Sequence, residues 1–139
     1  MAEPHPDLLL IGRRHVRSNN SWMHNVRVLV KGRPRCTLIV HPHDARDLAV
    51  ENGTMVRVTS DAGSVHAVVE ISDEIRQGVV SLPHGWGHGN PGTRLAVAHE
   101  YAGVNSNLLA PGTFVDVPSG NAAVNGFPVE VVPVTHASA

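Results

Sequence analysis

Short β-branched runs, closely spaced and cut by turn residues, constrain this chain most. Residues 7–11, 26–30, 36–40, 55–59, 64–71, 79–82 and 128–134 are rich in Val, Ile, Leu or Thr, residue types that suit a pleated, half-buried surface. Between them stand Lys31-Gly32-Arg33-Pro34, Glu51-Asn52-Gly53-Thr54, Asp61-Ala62-Gly63-Ser64 and Gln77-Gly78. Such punctuation predicts a mainly β fold, a barrel or a sandwich. At 139 residues the chain is one domain with room for a real core. No apolar run is long enough to span a bilayer.

One helix is expected over residues 41–50. It opens on His41-Pro42, and proline suits the first helical position, where its missing N–H costs nothing. Asp44 and Asp47 lie near the positive end of the dipole, and Ala45, Leu48 and Ala49 make one apolar face. Asn52-Gly53 then turns the chain into a strand. Residues 95–101 are a second, weaker helical segment. Cys36 is the single cysteine, so it forms no internal disulfide and reads as a strand residue. Residues 1–6 are polar, without the basic and apolar regions of a leader, and read as a loose tail, as do residues 135–139. The expected domain is 7–134, and the expected location is cytoplasmic.

Charge is segregated. Seven basic and two acidic residues precede Cys36, and four basic and ten acidic follow it, so +5 stands against −6 in a chain of net charge −1. The basic groups begin in the segment Gly12-Arg-Arg-His-Val-Arg-Ser-Asn-Asn-Ser-Trp-Met-His-Asn25, directly after an apolar strand. Arg forks bind phosphate bidentately, and Asn, Ser and free backbone N–H groups complete an anion cradle in a turn. The bland alternative is a solvated basic loop. With five aromatic residues and no overall basic charge, the chain suits a small anionic ligand better than a nucleic acid.

The run His-Pro-x-Asp-Ala-x-x-Leu-x-Val-x-Asn-Gly-x-x-Val-x-Val-x-Ser-x-x-Gly, from His41 to Gly63, resembles the signature of the molybdopterin-dinucleotide-binding domain. That is the C-terminal domain of molybdenum and tungsten oxidoreductases of the dimethyl-sulfoxide-reductase and formate-dehydrogenase type. Three more blocks are similar to the family in the same order: Gly12-Arg13 through Asn20-Ser21-Trp22; Gly78 to Gly87, with Pro83-His84-Gly85-Trp86; and Asn105-x-Asn107-Leu108 followed by Asp116-x-x-Ser119-Gly120. The resemblance implies a six-stranded double-psi β-barrel with one or two short helices. It also implies molybdopterin guanine dinucleotide as cofactor, with Mo or W carried by domains outside this chain.

By that resemblance Arg13, His15, Asn20 and Ser21 face phosphate and ribose, and Asp44 accepts the guanine edge. Trp22 and Trp86 wall the ligand, His84 and Gly85 belong to the ligand loop that ends in Trp86, and Asn107 meets the pterin. His41 stands where relatives often carry Asn, and Asn125 roughly where many carry Lys. The chain then binds cofactor without performing redox chemistry itself, in partnership with the remaining domains or a catalytic subunit of a molybdoenzyme. One cysteine cannot hold an iron–sulfur cluster.

Three other readings compete. Ten histidines, with His84 and His88 four apart, suggest a zinc site completed by His24, His41 or His43; the two glycines between His84 and His88 argue against it. Gly63-Ser64 is the kind of bond at which the pyruvoyl-dependent aspartate decarboxylase, another double-psi barrel, cleaves itself, although a plain hairpin turn with Gly at positive φ explains it as well. The third reading is a barrel used as a protein-interaction module.

Overall fold

The computed structural model describes residues 8–113 and 115–134. The tails expected at residues 1–6 and 135–139 lie outside them. Six strands close into a barrel: β1 (Leu8–Arg13), β2 (Thr37–Val40), β3 (Met55–Thr59), β4 (Ser64–Ile71), β5 (Val79–Pro83) and β6 (Phe127–Pro133). Around the barrel the order is β1-β5-β2-β4-β3-β6, with β6 returning to β1. Two neighbouring pairs, β1 with β5 and β2 with β4, run parallel, and the other four pairs are antiparallel. This is the mainly β, closed six-stranded barrel that the sequence resemblance implies.

Alternation of side chains builds the core. Leu8 and Leu10 of β1, Val56 and Val58 of β3, Val65, Ala67 and Val69 of β4, and Phe127, Val129 and Val131 of β6 point inward. Leu9, Ile11, Arg57 and Glu130 between them face out. Full burial of a side chain such as Leu38, Leu82 or Phe127 contributes about 1.5–3 kcal/mol. The helical pieces are four to six residues long, too short to persist without that core.

The expected helix appears as α2 (Pro42–Asp47), with Pro42 in its first turn and Ala45 and Leu48 in the core. His41 caps it, its Nδ1 accepting the His43 N–H at 3.1 Å. The weaker helical segment appears as α3 (Ala96–Glu100).

The strand expected at residues 26–30 does not form. Arg27–Val30 is a helical turn, α1, in which the Val30 and Lys31 N–H groups reach back to the Val26 and Arg27 carbonyls. The closed barrel leaves no free strand edge for this segment to join, and Val26 and Val28 are exposed while only Val30 is buried. A 3₁₀ turn, η1 (Ser106–Leu109), has no counterpart among the expected elements. Its local device is legible afterwards: Asn105 Oδ1 accepts the Asn107 N–H at 3.0 Å.

Candidate functional site

Parallel pairing of β1 and β5 brings their C-terminal ends together, with Arg13 opposite Pro83. Both strands therefore deliver their following loops to the same end of the barrel. The His84 N–H donates to the Arg13 carbonyl and continues the ladder by one step. A cavity of about 140 Å³ opens there over Leu10, Leu82 and Phe127, rimmed by Arg14, His84, Asn107 and Asn125. Asn125 Oδ1 accepts the Gly12 N–H at 2.5 Å, which ties the segment before β6 to the end of β1; its amide NH₂ makes no bond among the described residues and can donate. His84 carries a ring nitrogen, Nε2, that is buried without a partner among the described residues.

Arg14 joins this cavity to a second depression, lined by His15, Asn19 and Asn20. Its guanidinium donates to Asn20 Oδ1 at 3.0 Å. Asn19 and Asn20 sit at φ 41° and 63°, a left-handed conformation that Asn tolerates better than most residues. Ser21 is exposed, and Trp22 stands out with 83 % of its surface open.

Two loops of this end interlock. Gly85, at φ 86°, lies against the backbone of Asn20 so closely that a Cβ there would fall 2.1 Å from the Asn20 carbonyl oxygen. His24 is fully buried, its ring stacked on Trp86 at 3.9 Å and its Nδ1 2.8 Å from His88 Nε2. Asn25 Oδ1 then accepts the N–H groups of Val97 and Ala98, fastening the first loop to α3. Burial first, and then the neighbouring His88 and Arg35, push the His24 imidazole down to about 4, so the His24–His88 bond joins two neutral rings at pH 7. His88 is lowered as well, chiefly by burial.

Not all the expected ligand residues converge. Asn20, His84, Asn107 and Asn125 do, with His15 beside them and Gly85 beneath. Trp86 is 8 % exposed and packs on His24, supporting the loop from below without lining either depression. Arg13 turns its guanidinium into the fold, donating to the carbonyls of Ser81, Arg35 and Thr37 and to Thr37 Oγ1; burial lowers its pKa first of all.

Asp44 lies near the start of β5, because its Oδ2 accepts the Gly78 N–H at 2.7 Å. That is the opposite end of the β1–β5 pair from His84, about one strand length, ~15 Å, away. Asp44 is 6 % exposed and braces α2 against the barrel. Asp44→Ala leaves the Gly78 N–H without its partner, and the expected cost is about 1–3 kcal/mol of unfolding free energy. Urea denaturation measures that loss, and any nucleotide preference of the wild type should survive it. A lost preference with unchanged stability would return Asp44 to the binding site.

The competing sites are also placed. His24 pairs with His88, whereas the spacing in the sequence suggests His84 with His88. Gly63 closes the β3–β4 turn, its carbonyl accepting the Ser60 N–H. It does not take positive φ; glycine is needed because a Cβ would meet the Leu108 carbonyl oxygen at 2.9 Å.

The sequence matches the family described as Molydopterin dinucleotide binding domain over residues 8–127. The chain is 38 % identical over 52 residues to the F420-dependent formate dehydrogenase subunit alpha of Methanocaldococcus jannaschii, an alignment covering 37 % of this chain and 8 % of that protein. It is 35 % identical over 85 residues to the dimethyl sulfoxide reductase DmsA of Haemophilus influenzae, covering 61 % of this chain and 10 % of that one. The barrel superposes on acetylene hydratase from Pelobacter acetylenicus with a TM-score of 0.75 at 21 % identity, covering 91 % of this chain and 18 % of the other.

Fold and family together define a cofactor-holding barrel of the molybdoenzymes. The chain belongs to the molybdopterin-dinucleotide-binding family, and its cofactor is molybdopterin guanine dinucleotide, with Mo or W. It spans about a tenth of the length of the curated relatives it matches. No helix among the described residues is long and apolar enough to cross a membrane.

Proposed function

We propose that the cavity at the C-terminal ends of β1 and β5 is where this domain holds the dinucleotide, within a molybdenum or tungsten oxidoreductase whose remaining domains carry the redox centre. The observation that carries this reading is the convergence of hydrogen-bond donors and acceptors from distant segments. His84, with its unpartnered buried Nε2, Asn107 and the free amide of Asn125 surround an apolar floor, and the cation Arg14 stands at one side. A flat heteroaromatic edge fits that set, because it offers several hydrogen bonds and little charge. Arg14, His15, Asn20 and Ser21 follow, suited to phosphate and ribose.

When bound, the cofactor supplies a metal dithiolene for electron transfer. The residues of this chain bind and orient it. Trp22 is the largest exposed side chain beside these loops and is assigned to the contact with ligand or neighbouring domain. Partners are the other domains of the enzyme, in the same polypeptide or as a separate subunit, and the location is cytoplasmic.

Amide shifts on titrating the chain with GDP test the site. Changes are expected at Arg14–Ser21, His84–Gly85, Asn107 and Asn125. Affinity should be weak, with Kd around ~0.1–1 mM, only about 4–5 kcal/mol, because most of the enclosing protein is absent. Shifts confined to the opposite end, near Asp44 and Gly78, would sink the assignment.

A further inference from the structure

A second convergence of ligand-type side chains lies at the opposite end of the barrel from the cavity. The histidine spacing in the sequence suggests that His43 joins His84 and His88, and the fold brings it to two aspartates instead. Positions 43, 44 and 47 of α2 carry His, Asp and Asp. Helix residues three and four apart are neighbours, so Asp47 stands beside both of the others. His43 Nδ1 lies 3.1 Å from Asp47 Oδ2. One ligand atom from each of the three residues falls within 4.8 Å of the other two. Gln77, in the turn before β5, brings its amide to 3.0 Å from the same His43 Nδ1.

Two features of this group call for a cation. The first is that hydrogen bonding alone does not satisfy it. A ring nitrogen donates or accepts, never both. As a donor, His43 Nδ1 serves Asp47 and faces the Gln77 N–H; as an acceptor, it serves Gln77 and turns a lone pair toward the Asp47 carboxylate. Turning the Gln77 amide over only surrounds one N–H with oxygens. The second feature is Asp44, which is 6 % exposed. The only side-chain hydrogen bond it makes among the described residues is to the Gly78 N–H, and no basic side chain there lies within ion-pair distance of it. Burying a carboxylate is costly without a counter-charge, and one N–H offsets that cost only in part.

We propose that His43 Nδ1, Asp44 and Asp47 form a site for a zinc-class divalent cation, with Gln77 hydrogen-bonding to a water on the ion. One imidazole and two carboxylates suit this class, whereas Mg²⁺ and Ca²⁺ favour shells of oxygen and Cu(I) favours sulfur. The two carboxylates also balance the charge of the ion. Tetrahedral zinc requires ligand atoms ~3.2–3.6 Å apart. His43 and Asp47 are near that spacing already, and both are about half exposed, so they close on an ion without disturbing the core and leave a position for water. The Gly78 N–H on Oδ2 orients the Asp44 carboxylate from behind. Bound there, the ion staples α2 to the turn before β5. The proposal is independent of the cavity reading, since it shares no residue with that site.

The test uses the untagged 139-residue chain, with Zn²⁺ and Mg²⁺ as probes at matched ionic strength. Calorimetry should give one zinc per chain, weakened at least ~10-fold by His43→Ala and by Asp47→Asn, as for lost ligation in general. Both side chains are about half exposed, so neither variant loses core packing. Asp44→Asn removes the charge while keeping an acceptor for Gly78, and should weaken zinc as well. Zinc should shift the His43 ring protons and the amides of residues 43–47, Gln77 and Gly78, and leave the rings of His24, His84 and His88 still. It should raise the thermal midpoint of the wild type, because only the folded chain presents the three donors together, and leave that of His43→Ala unchanged.

Zinc affinity unchanged in His43→Ala and Asp47→Asn would overturn the proposal, as would ring shifts concentrated at other histidines. An equal response to Mg²⁺ would overturn it too, by reducing the site to a screened acidic surface.

Discussion

Gly85→Ala is expected to be the most damaging single-methyl change in this chain. The added Cβ would sit 2.1 Å from the Asn20 carbonyl oxygen, 2.6 Å from its carbon and 3.2 Å from the Ser21 nitrogen. These are backbone atoms, so no side-chain rotation relieves the collision. Gly85 also has φ 86°, where an L-residue is strained. Overpacking of this kind costs about 1–3 kcal/mol and the conformational strain about the same again, so a loss of ~2–6 kcal/mol is expected.

Gly53→Ala supplies the control. Gly53 has nearly the same φ, 85°, and no heavy atom lies within 4 Å of the point where its Cβ would stand. It should lose only the strain component. Urea denaturation of both variants separates collision from conformation, and equal losses would show that the two loops do not meet as described. Because Asn20 and Ser21 are also candidate ligand residues, Gly85→Ala should abolish GDP-induced shifts in residues 14–21 even where the barrel stays folded.

The barrel was legible in the sequence because its determinants are local. Alternation in residues 64–71 and 128–134, proline at position 42 and Asn52-Gly53 after the helix each act within a few residues. Residues 26–30 misled because β-branched composition says what suits a strand, whereas the closed barrel decides whether an edge is free to accept one.

The loops of the candidate site were legible in the sequence, and where their side chains turn was not, for a related reason. A guanidinium or carboxylate announces hydrogen-bonding capacity, and its partner is chosen by tertiary structure. Arg13 found carbonyls of β5 and of residues 35 and 37, and Asp44 found the N–H of Gly78, 34 residues away. Trp86 found His24, and only the stacked pair reveals why a histidine stands two residues after Trp22. Arg14 stood in the basic segment but not among the expected ligand residues, where its neighbour Arg13 was placed instead. Alternation along β1, continued one residue, puts Arg14 on the side of Leu10 and Gly12, which line the cavity, and Arg13 on the side of Leu9 and Ile11.

The buried His24 makes this end of the barrel acid-sensitive. Its imidazole has a folded pKa of about 4, against an ordinary value of 6.5. The unfolded chain therefore takes up a proton that the folded chain refuses between those two values, and stability rises with pH across that window. The contribution is complete above about pH 6.5 and is lost as pH falls toward 4; His88, also lowered, acts in the same direction. At about 1.36 kcal/mol per pH unit the His24 share is on the order of 3 kcal/mol.

Carboxylates also titrate near the lower limit, so the measurement is a difference between wild type and His24→Phe. Phenylalanine keeps a ring against Trp86 and cannot be protonated. At pH 7 the wild type should be the more stable of the two, through its bond to His88. The gap should close as pH falls below about 6.5 and reverse near ~4.5, when the wild type must bury a cation or open its loop beside Trp86, His88 and Arg35. Hydrogen exchange at residues 20–25 and 85–88 should accelerate over the same range in the wild type alone. Urea midpoints that fall in parallel for both proteins across that range would show that His24 is not held neutral, and the lock between the two loops would then rest on Gly85 and the Asn25 cap alone.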